Sequence, residues 1–594
     1  MVESKRRHRS RRHVDDTGAA LLLVVGVGAV LAMLMSILVV VSVNGMRQAR
    51  TDADWNAALA AAYAGIDEYQ SHLATDTTYY RFGNPAATFS SSSTVTLPTT
   101  PANPAFGVGT SGSWASVSGS GGRAEFRYEV DNSKYPTTGR IRLRATGRVG
   151  EATRTVVADL KQQGFLDFLY FSDYEVQDPA VVGIPGASCY TDSTKTTLKY
   201  SWEGRPVGTA CNEIAFGDAD TQEGPVHSND TIRACGTEFA GQVTTGDPRS
   251  PFYVRKDSNG ATCAAAVFAL AGYPAYTGTM PMPATNAELK KETRTDLTAT
   301  DVPRPGCLYT GPTQITFTAD GKMNVKSPFT KKTRIANAAA TSGSEPAECG
   351  TISALRSVNG ATIAVPENNV IYVQNVPAVT TDVNYWAATS WPSNFTCTTN
   401  VGWKLESGGV KSGYPQTTSS STTTEKPPTT STYGCRAGDV FIKGSFAGAA
   451  TVAAENYIFV VGDLKYVDSQ EDILGLVGNN AVWVWNPVNA AGNLVDTSQN
   501  RRIDAAILSV AHTFQVQNYS IGSSRGTLTI NGALAQKYRG VVRRGSAGYA
   551  KDYNYDTRFK YMAPPKFLNP TTTTYGVTTW VETAAAFAAN GAAR

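Results

Sequence analysis

From Thr17 to Met46 the chain carries no charged residue, and Ala19 to Val43 is apolar apart from Gly26, Gly28, Ser36 and Ser42. As a helix that run reaches roughly 38 Å, enough to cross a hydrocarbon core of roughly 30 Å with some tilt. The helical pattern continues through MRQARTDADWNAALAAAYAGIDEYQSHL, residues 46 to 73, which is rich in Ala and meets no Pro until Pro85. One helix of about 55 residues, near 80 Å long, is expected. Ala57, Ala61 and Ala64 share a face at three- and four-residue spacing. Small residues let helices approach closely, so this half reads as a packing stalk.

Further on the pattern shortens to strands. AEFRYEV, residues 124 to 130, puts Phe126, Tyr128 and Val130 on one side. RIRLRAT, 140 to 146, alternates Arg140, Arg142 and Arg144 with Ile141, Leu143 and Ala145, and RTVVADL follows a GEA turn. A period of two predicts a small antiparallel sheet with one wet face. The three arginines suit an acidic partner or a solvated strand face, and we favour the second. From Gly224 short apolar strands are punctuated by Gly, Asn and Asp: GPVHSNDTIRACG, FAGQVTTG, then GDVFIKGSFAGAATVAAENYIFVVGDLKYV. Lys443-Gly444 and Val461-Gly462 lie 18 residues apart, and IFVVGDL repeats the texture of VFIKGSF. That spacing suits one coil of a parallel β-solenoid, in which each rung needs the next to bury its face. A β-sandwich explains the same short strands but should alternate more cleanly.

The fold class expected is mainly β, with a single N-terminal transmembrane α-helix followed by a β-rich ectodomain that is partly a parallel β-helix (β-solenoid). The boundaries are a basic leader at 1–18, a transmembrane and stalk helix at 19–75, a Ser/Thr/Gly/Pro-rich linker at 76–122 and a small antiparallel β unit at 123–163. A Cys-rich β region at 164–410, a low-complexity loop at 411–434, a solenoid-like region at 435–570 and a C-terminal tail at 571–594 complete the chain. Within the loop, TTSSSTTTEKPPTTST at 417–432 reads as exposed and open to glycosylation. At 594 residues several structural units are anticipated.

Charge sharpens this picture. Of the 53 Lys and Arg, six precede Gly18 against three acids, so the rest of the chain has a net charge of 47 − 46 = +1. No basic run remains for a nucleic-acid footprint, and nucleic acid is not an expected partner. The basic cluster places the start of the chain in the cytoplasm and residues after about 50 outside, by the positive-inside bias. Eight cysteines, Cys189, Cys211, Cys235, Cys263, Cys307, Cys349, Cys397 and Cys435, all lie beyond the apolar helix, 22 to 48 residues apart and without a CxxC. This argues for disulfides in an oxidising compartment rather than zinc or a redox pair. Eight cysteines permit 105 pairings, and pairing of neighbours is only one guess among them.

Gly18 before an apolar helix, followed by MRQARTDADWNAALAAAYAGIDEY, resembles the PilX-type minor pilins and pilus assembly proteins of type IV pilus systems, over about the first 75 residues. The resemblance implies removal of the leader by a prepilin peptidase between Gly18 and Ala19, and packing of the helix among other pilin-like subunits. Major pilins carry Glu at the fifth mature position, where this chain has Leu23, as minor or capping subunits do. An uncleaved signal anchor is the plainer alternative. AILSVAHTFQV, GTLTINGALAQKYRGVV and GYAKDYNYDTRFKYMAPPKFL resemble, more loosely, late strands of large membrane-anchored pilus-associated proteins of Gram-positive actinobacteria, over residues 435 to 570.

Candidate chemistry is sparse. Asp173, Glu175 and Asp178 in FLDFLYFSDYEVQDP could transfer protons or ligate hard cations, but we favour turn capping and solvation. GSSRG at 522 to 526 satisfies G-x-S-x-G around Ser524, yet TLTING continues as a strand where the elbow needs a helix, and His227 and His512 are the exterior bases. ADGKMN places Met323 where a P-loop requires Ser or Thr. Asp218, Asp220 and Glu223 lack the glycine and distal Glu of an EF-hand and read as a polar turn; His227 reads as a corner residue beside Asn229 and Asp230. Tyr549, Tyr553, Tyr555, Phe559 and Tyr561 could stack on sugars, although closing the end of a solenoid is the favoured role. We therefore expect no enzyme, cofactor or metal, but a minor pilin-like structural protein of type IV pilus assembly or adhesion. Its expected partners are the membrane, other pilin-like subunits through the helix, a prepilin peptidase and surface carbohydrate. A surface-anchored carbohydrate-active β-helix enzyme and an adhesin independent of pili are the alternatives.

Overall fold

The computed structural model describes residues 17–98, 103–108, 112–135, 139–162, 164–207, 209–217, 220–299, 301–416, 424–426, 433–496, 498–570 and 575–594. The fold is mainly β with a long apolar N-terminal helix. It divides into two compact units, Met1–Lys161 with Thr573–Arg594, and Gln162–Thr572.

In the smaller unit the helix Thr17–Thr75 runs unbroken for 59 residues, about 88 Å at 1.5 Å per residue. Its second half lies on a five-stranded sheet whose order is Ala115–Ser116, Ala124–Asp131, Arg140–Val149, Ala152–Gln162 and Tyr575–Thr583. Ala58, Ala61, Ala62, Ile66, Tyr69 and Leu73 are buried, and the sheet meets them with Phe126, Tyr128, Ile141, Leu143 and Ala145. The alanines therefore serve close approach to this chain's own sheet. Gly147 marks the closest point: a Cβ there would come within 2.1 Å of the Ala58 carbonyl oxygen and 2.3 Å of the Ala62 nitrogen.

Two stretches without a clear sequence pattern prove structured. The span read as a linker carries 3-10 turns at Thr77–Arg81, Thr88–Ser90 and Pro104–Phe106, and buries Val95, Ala105 and Phe106 in the same core. The span read as a tail supplies the fifth strand and then Phe587, whose ring lies 3.7 Å beneath the Arg127 guanidinium. Apolar surface on both faces of a small sheet has to be covered by something, and these segments cover it.

The larger unit is built of parallel ladders. The longest runs, in spatial order, through Ala275–Tyr276, Val243–Thr245, Val226–Ser228, Tyr170–Tyr174, Ser524–Tyr538, Arg501–Thr513, Ile473–Gly478, Ala449–Ala454, Asn369–Gln374 and Cys307–Thr310. A second joins Thr313–Thr318, Val440–Phe446, Tyr457–Tyr466, Ala481–Val484 and Gln515–Val516. The path is unusual in its order. The chain enters at Tyr170–Tyr174, works outward to Ala275–Tyr276, crosses to Cys307–Thr310 at the opposite end, and returns until Ser524–Tyr538 pairs with Tyr170–Tyr174. Asn286 fastens the crossing segment, donating from Nδ2 to the carbonyls of Ala454 (2.7 Å) and Val477 (3.1 Å).

Strands covered on both faces need no alternation, which is why ILGLVG at 473–478 and AVWV at 481–484 are buried throughout. An antiparallel sheet of Phe395–Thr398, Gly402–Ser407 and Val410–Tyr414 supplies one cover, its Tyr414 ring stacked 4.0 Å from Phe441. At one corner Asn456 Nδ2 donates to Asp439 Oδ1 (2.6 Å), and Asn480 Nδ2 donates in turn to Asn456 Oδ1. The disulfides join neighbours: Cys189–Cys211, Cys235–Cys263, Cys307–Cys349 and Cys397–Cys435, closing loops of 22 to 42 residues. Each such crosslink typically contributes about 2–4 kcal/mol.

Gly147→Val should force the helix off the sheet. The expected loss is about 3 kcal/mol or more, read as a lowered denaturant midpoint of the detergent-solubilised chain. An unchanged midpoint would show that the helix does not depend on this contact.

Candidate functional site: an exposed helix half and a buried ionic seam

The two halves of the helix have opposite surroundings. Leu21 to Val41 stand exposed, with Leu22 at 77% and Leu38 at 66%, whereas the second half is packed. Leu23 is exposed like its neighbours. Along the exposed run Ser36 Oγ donates to the Ala32 carbonyl at 2.8 Å, so its hydroxyl is satisfied inside the helix. A helix this long and apolar meets the requirement for crossing a bilayer. Gly18 and Ala19 lie in its first turn; the leader before Thr17 is outside the described residues. At the packed end, Glu68 accepts from Tyr128 Oη (2.7 Å) and Asn103 Nδ2 (3.0 Å) and meets His72 Nε2 at 2.8 Å.

The arginines of the small sheet are not simply solvated. Arg140 and Arg142 both reach Asp159, at 3.4 and 2.8 Å, and Arg144 reaches Glu129 at 2.5 Å. Register explains the pairing, because Arg142 stands opposite Asp159 on one side and Arg144 opposite Glu129 on the other.

The acids Asp173, Glu175 and Asp178 sit where the two passes of the larger unit meet, and all three are buried. Solvation is thus the wrong reading; capping holds for Asp178, whose Oδ1 accepts from the Ala180 N–H at 2.9 Å and which also faces His512. Glu175 accepts from Arg539 Nη1 at 2.5 Å and from Tyr170 Oη at 3.1 Å, and Ser172 Oγ also donates to it. Around this pair stand Asp230 with Arg205 (2.7 Å), Glu213 with Arg205 (3.1 Å) and Arg233 (2.9 Å), and Asp220 with Lys551 (2.9 Å). Arg205 and Glu213 are entirely enclosed. The Arg539 guanidinium also lies 3.6 Å over the Phe216 ring. Four cations face four carboxylates here, the arrangement a buried charge requires. Burial pushes the Lys551 ammonium down and the Asp173 carboxyl up.

His227 is an interior residue of the strand Val226–Ser228, its ring nitrogens 2.9 Å from Thr244 Oγ1 and 3.0 Å from Asn229 Oδ1. Burial lowers its pKa to about 4, so it stays neutral. Ser524 is exposed at the start of a strand, with no helix after it, so no nucleophile elbow forms. Asp218 lies outside the described residues, Asp220 is engaged by Lys551, and Glu223 is exposed. Among the described residues no cluster of three or more His, Cys, Asp or Glu is arranged to hold a metal ion. Tyr549, Tyr553 and Phe559 are buried and Tyr555 partly so, leaving Tyr561 as the exposed ring of that set. They pack rather than present faces to a sugar. The polar loop at 417–432 lies outside the described residues except for Thr424, Glu425 and Lys426.

Two other acids were invisible to sequence reading. Burial pushes Asp439 up to about 7, against hydrogen bonds from Tyr457, Asn456 and Gly434. It likewise pushes Glu425 up to about 6, against hydrogen bonds led by that from Tyr433. Nothing in RAGDVF or TTTEKP announces such enclosure.

No protein-family model and no curated protein matches the chain. Among solved structures it is similar to the competence-associated pilin ComZ from Thermus thermophilus, with 12% sequence identity, a TM-score of 0.23, and coverage of 89% of this chain and 97% of that one. A likeness at that score carries no argument, and the functional reading rests on the chain's own residues.

Arg539→Ala should strand Glu175 in the interior and cost roughly 3–5 kcal/mol in denaturant unfolding, whereas Glu175→Leu with Arg539→Met should recover much of it. Asp439 supplies a pH test. Between about pH 4 and 7 the folded chain keeps a proton that the unfolded chain has released, so its stabilisation is complete below that window and is lost as pH rises through it. The thermal midpoint of the wild type should therefore fall relative to Asp439→Asn over that interval; a constant difference would contradict the shift.

Proposed function

We propose that the chain is a membrane-anchored, surface-exposed minor pilin-like structural protein of type IV pilus assembly or adhesion. The observation that carries this is the division of one continuous helix into an uncharged exposed half and a half packed on an antiparallel sheet. The exposed half suits a bilayer, and after it other apolar helices. The packed half makes the helix a rigid extension of a folded unit. On this reading the chain crosses the membrane once, with the start cytoplasmic and the bulk outside, and a prepilin peptidase cuts between Gly18 and Ala19. The larger unit we read as a parallel β-helix. Its support is the run of parallel registers, the stacking of Phe441 on Phe459 at 5.1 Å, and the Asp439–Asn456–Asn480 corner ladder.

The role we assign is non-catalytic. Two buried carboxylates that could have served as acid or base, Asp173 and Glu175, are committed to Tyr200, Asn229 and Arg539.

Terminal-peptide and intact-mass spectrometry of the protein from its native membrane tests the processing step. A start at Ala19, with or without methylation, is the expected result. A chain that keeps its basic leader would leave a plain signal anchor and favour an adhesin independent of pili.

A further inference from the structure

A cleft of about 300 Å³ opens between the parallel strands Thr313–Thr318 and Val440–Phe446 and the covering antiparallel sheet. Four ammonium groups line it: Lys326, Lys404, Lys411 and Lys443. Lys411 has Glu406 at 3.4 Å. Lys326 donates to Ser412 Oγ at 3.3 Å, and Ser412 donates to Gln314 Oε1 at 2.7 Å, a chain that fixes the Lys326 head. Among the described residues no carboxylate pairs with Lys404 or Lys443.

Lys326 is held below the usual lysine range, first by burial and then by the Lys443 charge. Like charges thus converge in a partly dry recess, a cost that an anionic ligand would offset. The chemistry narrows the ligand class. No arginine lines the cleft, so its cations act as point charges rather than as a bidentate fork, and the choice among anions falls to the neutral groups beside them. Tyr414 and Phe441 are buried in packing and offer no open platform on which bases could stack. Duplex nucleic acid, with a charge about every 1.7 Å, calls for cations spread along a face rather than gathered in a recess. Gln314, Thr316, Ser412 and Gln416 add the amides and hydroxyls that match sugar hydroxyls. The volume is at the small end of ligand pockets, roughly 300–1,000 Å³, and has room for one or two sugar rings.

We propose that this cleft binds an acidic glycan through one or two carboxylate-bearing sugar units, with Lys326, Lys404 and Lys443 holding the carboxylates. The assignment is independent of the role of the helix and would stand if the pilin reading failed.

Titration calorimetry of the detergent-solubilised full-length chain with tri-galacturonic acid tests it, with maltotriose, inorganic phosphate and a short oligothymidylate as comparisons. Expected are saturable binding of the uronate, weakening with added salt, and none of maltotriose. A loss of tenfold or more is expected in Lys404→Gln/Lys443→Gln, with an unchanged thermal midpoint. Absence of uronate binding, or equal affinity in the double variant, would overturn the site. Phosphate binding as tight as the uronate would reduce it to a simple anion site, and tighter oligothymidylate binding would replace the glycan with nucleic acid. Lys404→Arg/Lys443→Arg, which keeps the charge, should keep the binding.

Discussion

The larger unit depends on the pairing of its first strands with its last. Tyr170–Tyr174 pairs in parallel with Ser524–Tyr538, and Thr221–Glu223 with Ala547–Tyr555, so the outward and the returning pass share ladders there. Glu175 and Arg539, each just beyond its strand, add a charge-assisted bond across 364 residues of sequence, and beside them Arg205 and Arg233 are set against Glu213 and Asp230. Such pairs contribute little net stability, because desolvation offsets much of their attraction. They penalise misalignment instead, since a shift of one residue would bury an unpaired charge.

Some of this was legible in the chain. The helix was, because a run from Thr17 to Met46 without charge leaves few alternatives, and so was the antiparallel hairpin, because alternation at 140–146 reports one packed face. The parallel strands were legible as texture only. With both faces covered, VFIKGSF and YIFVVGDL lose the period that would fix their register, and nothing local states that residue 170 lies beside residue 534. The fifth strand at Tyr575–Thr583 escaped because its partner, Ala152–Gln162, is more than 400 positions away.

The candidate sites show the same limit. Asp173, Glu175 and Asp178 stand close in sequence and read as a solvated, capping group, whereas their surroundings are set by Arg539, Tyr200 and His512, which no spacing rule connects to them. The lysine cleft was further out of reach: Lys326, Lys404 and Lys443 are ordinary, scattered residues until two sheets bring them together. Where charges are near neutral overall, a local excess of one sign is visible only in three dimensions.

The strand with which the chain enters the larger unit, Tyr170–Tyr174, pairs between Val226–Ser228 and Ser524–Tyr538, in the interior of the longest ladder rather than at one of its ends. Tension applied through that strand is borne first by its two neighbours, as shear along both registers. The outermost strands, Ala275–Tyr276 and Cys307–Thr310, lie away from the point of entry, so the ladder is not loaded at an end, where a linear stack peels.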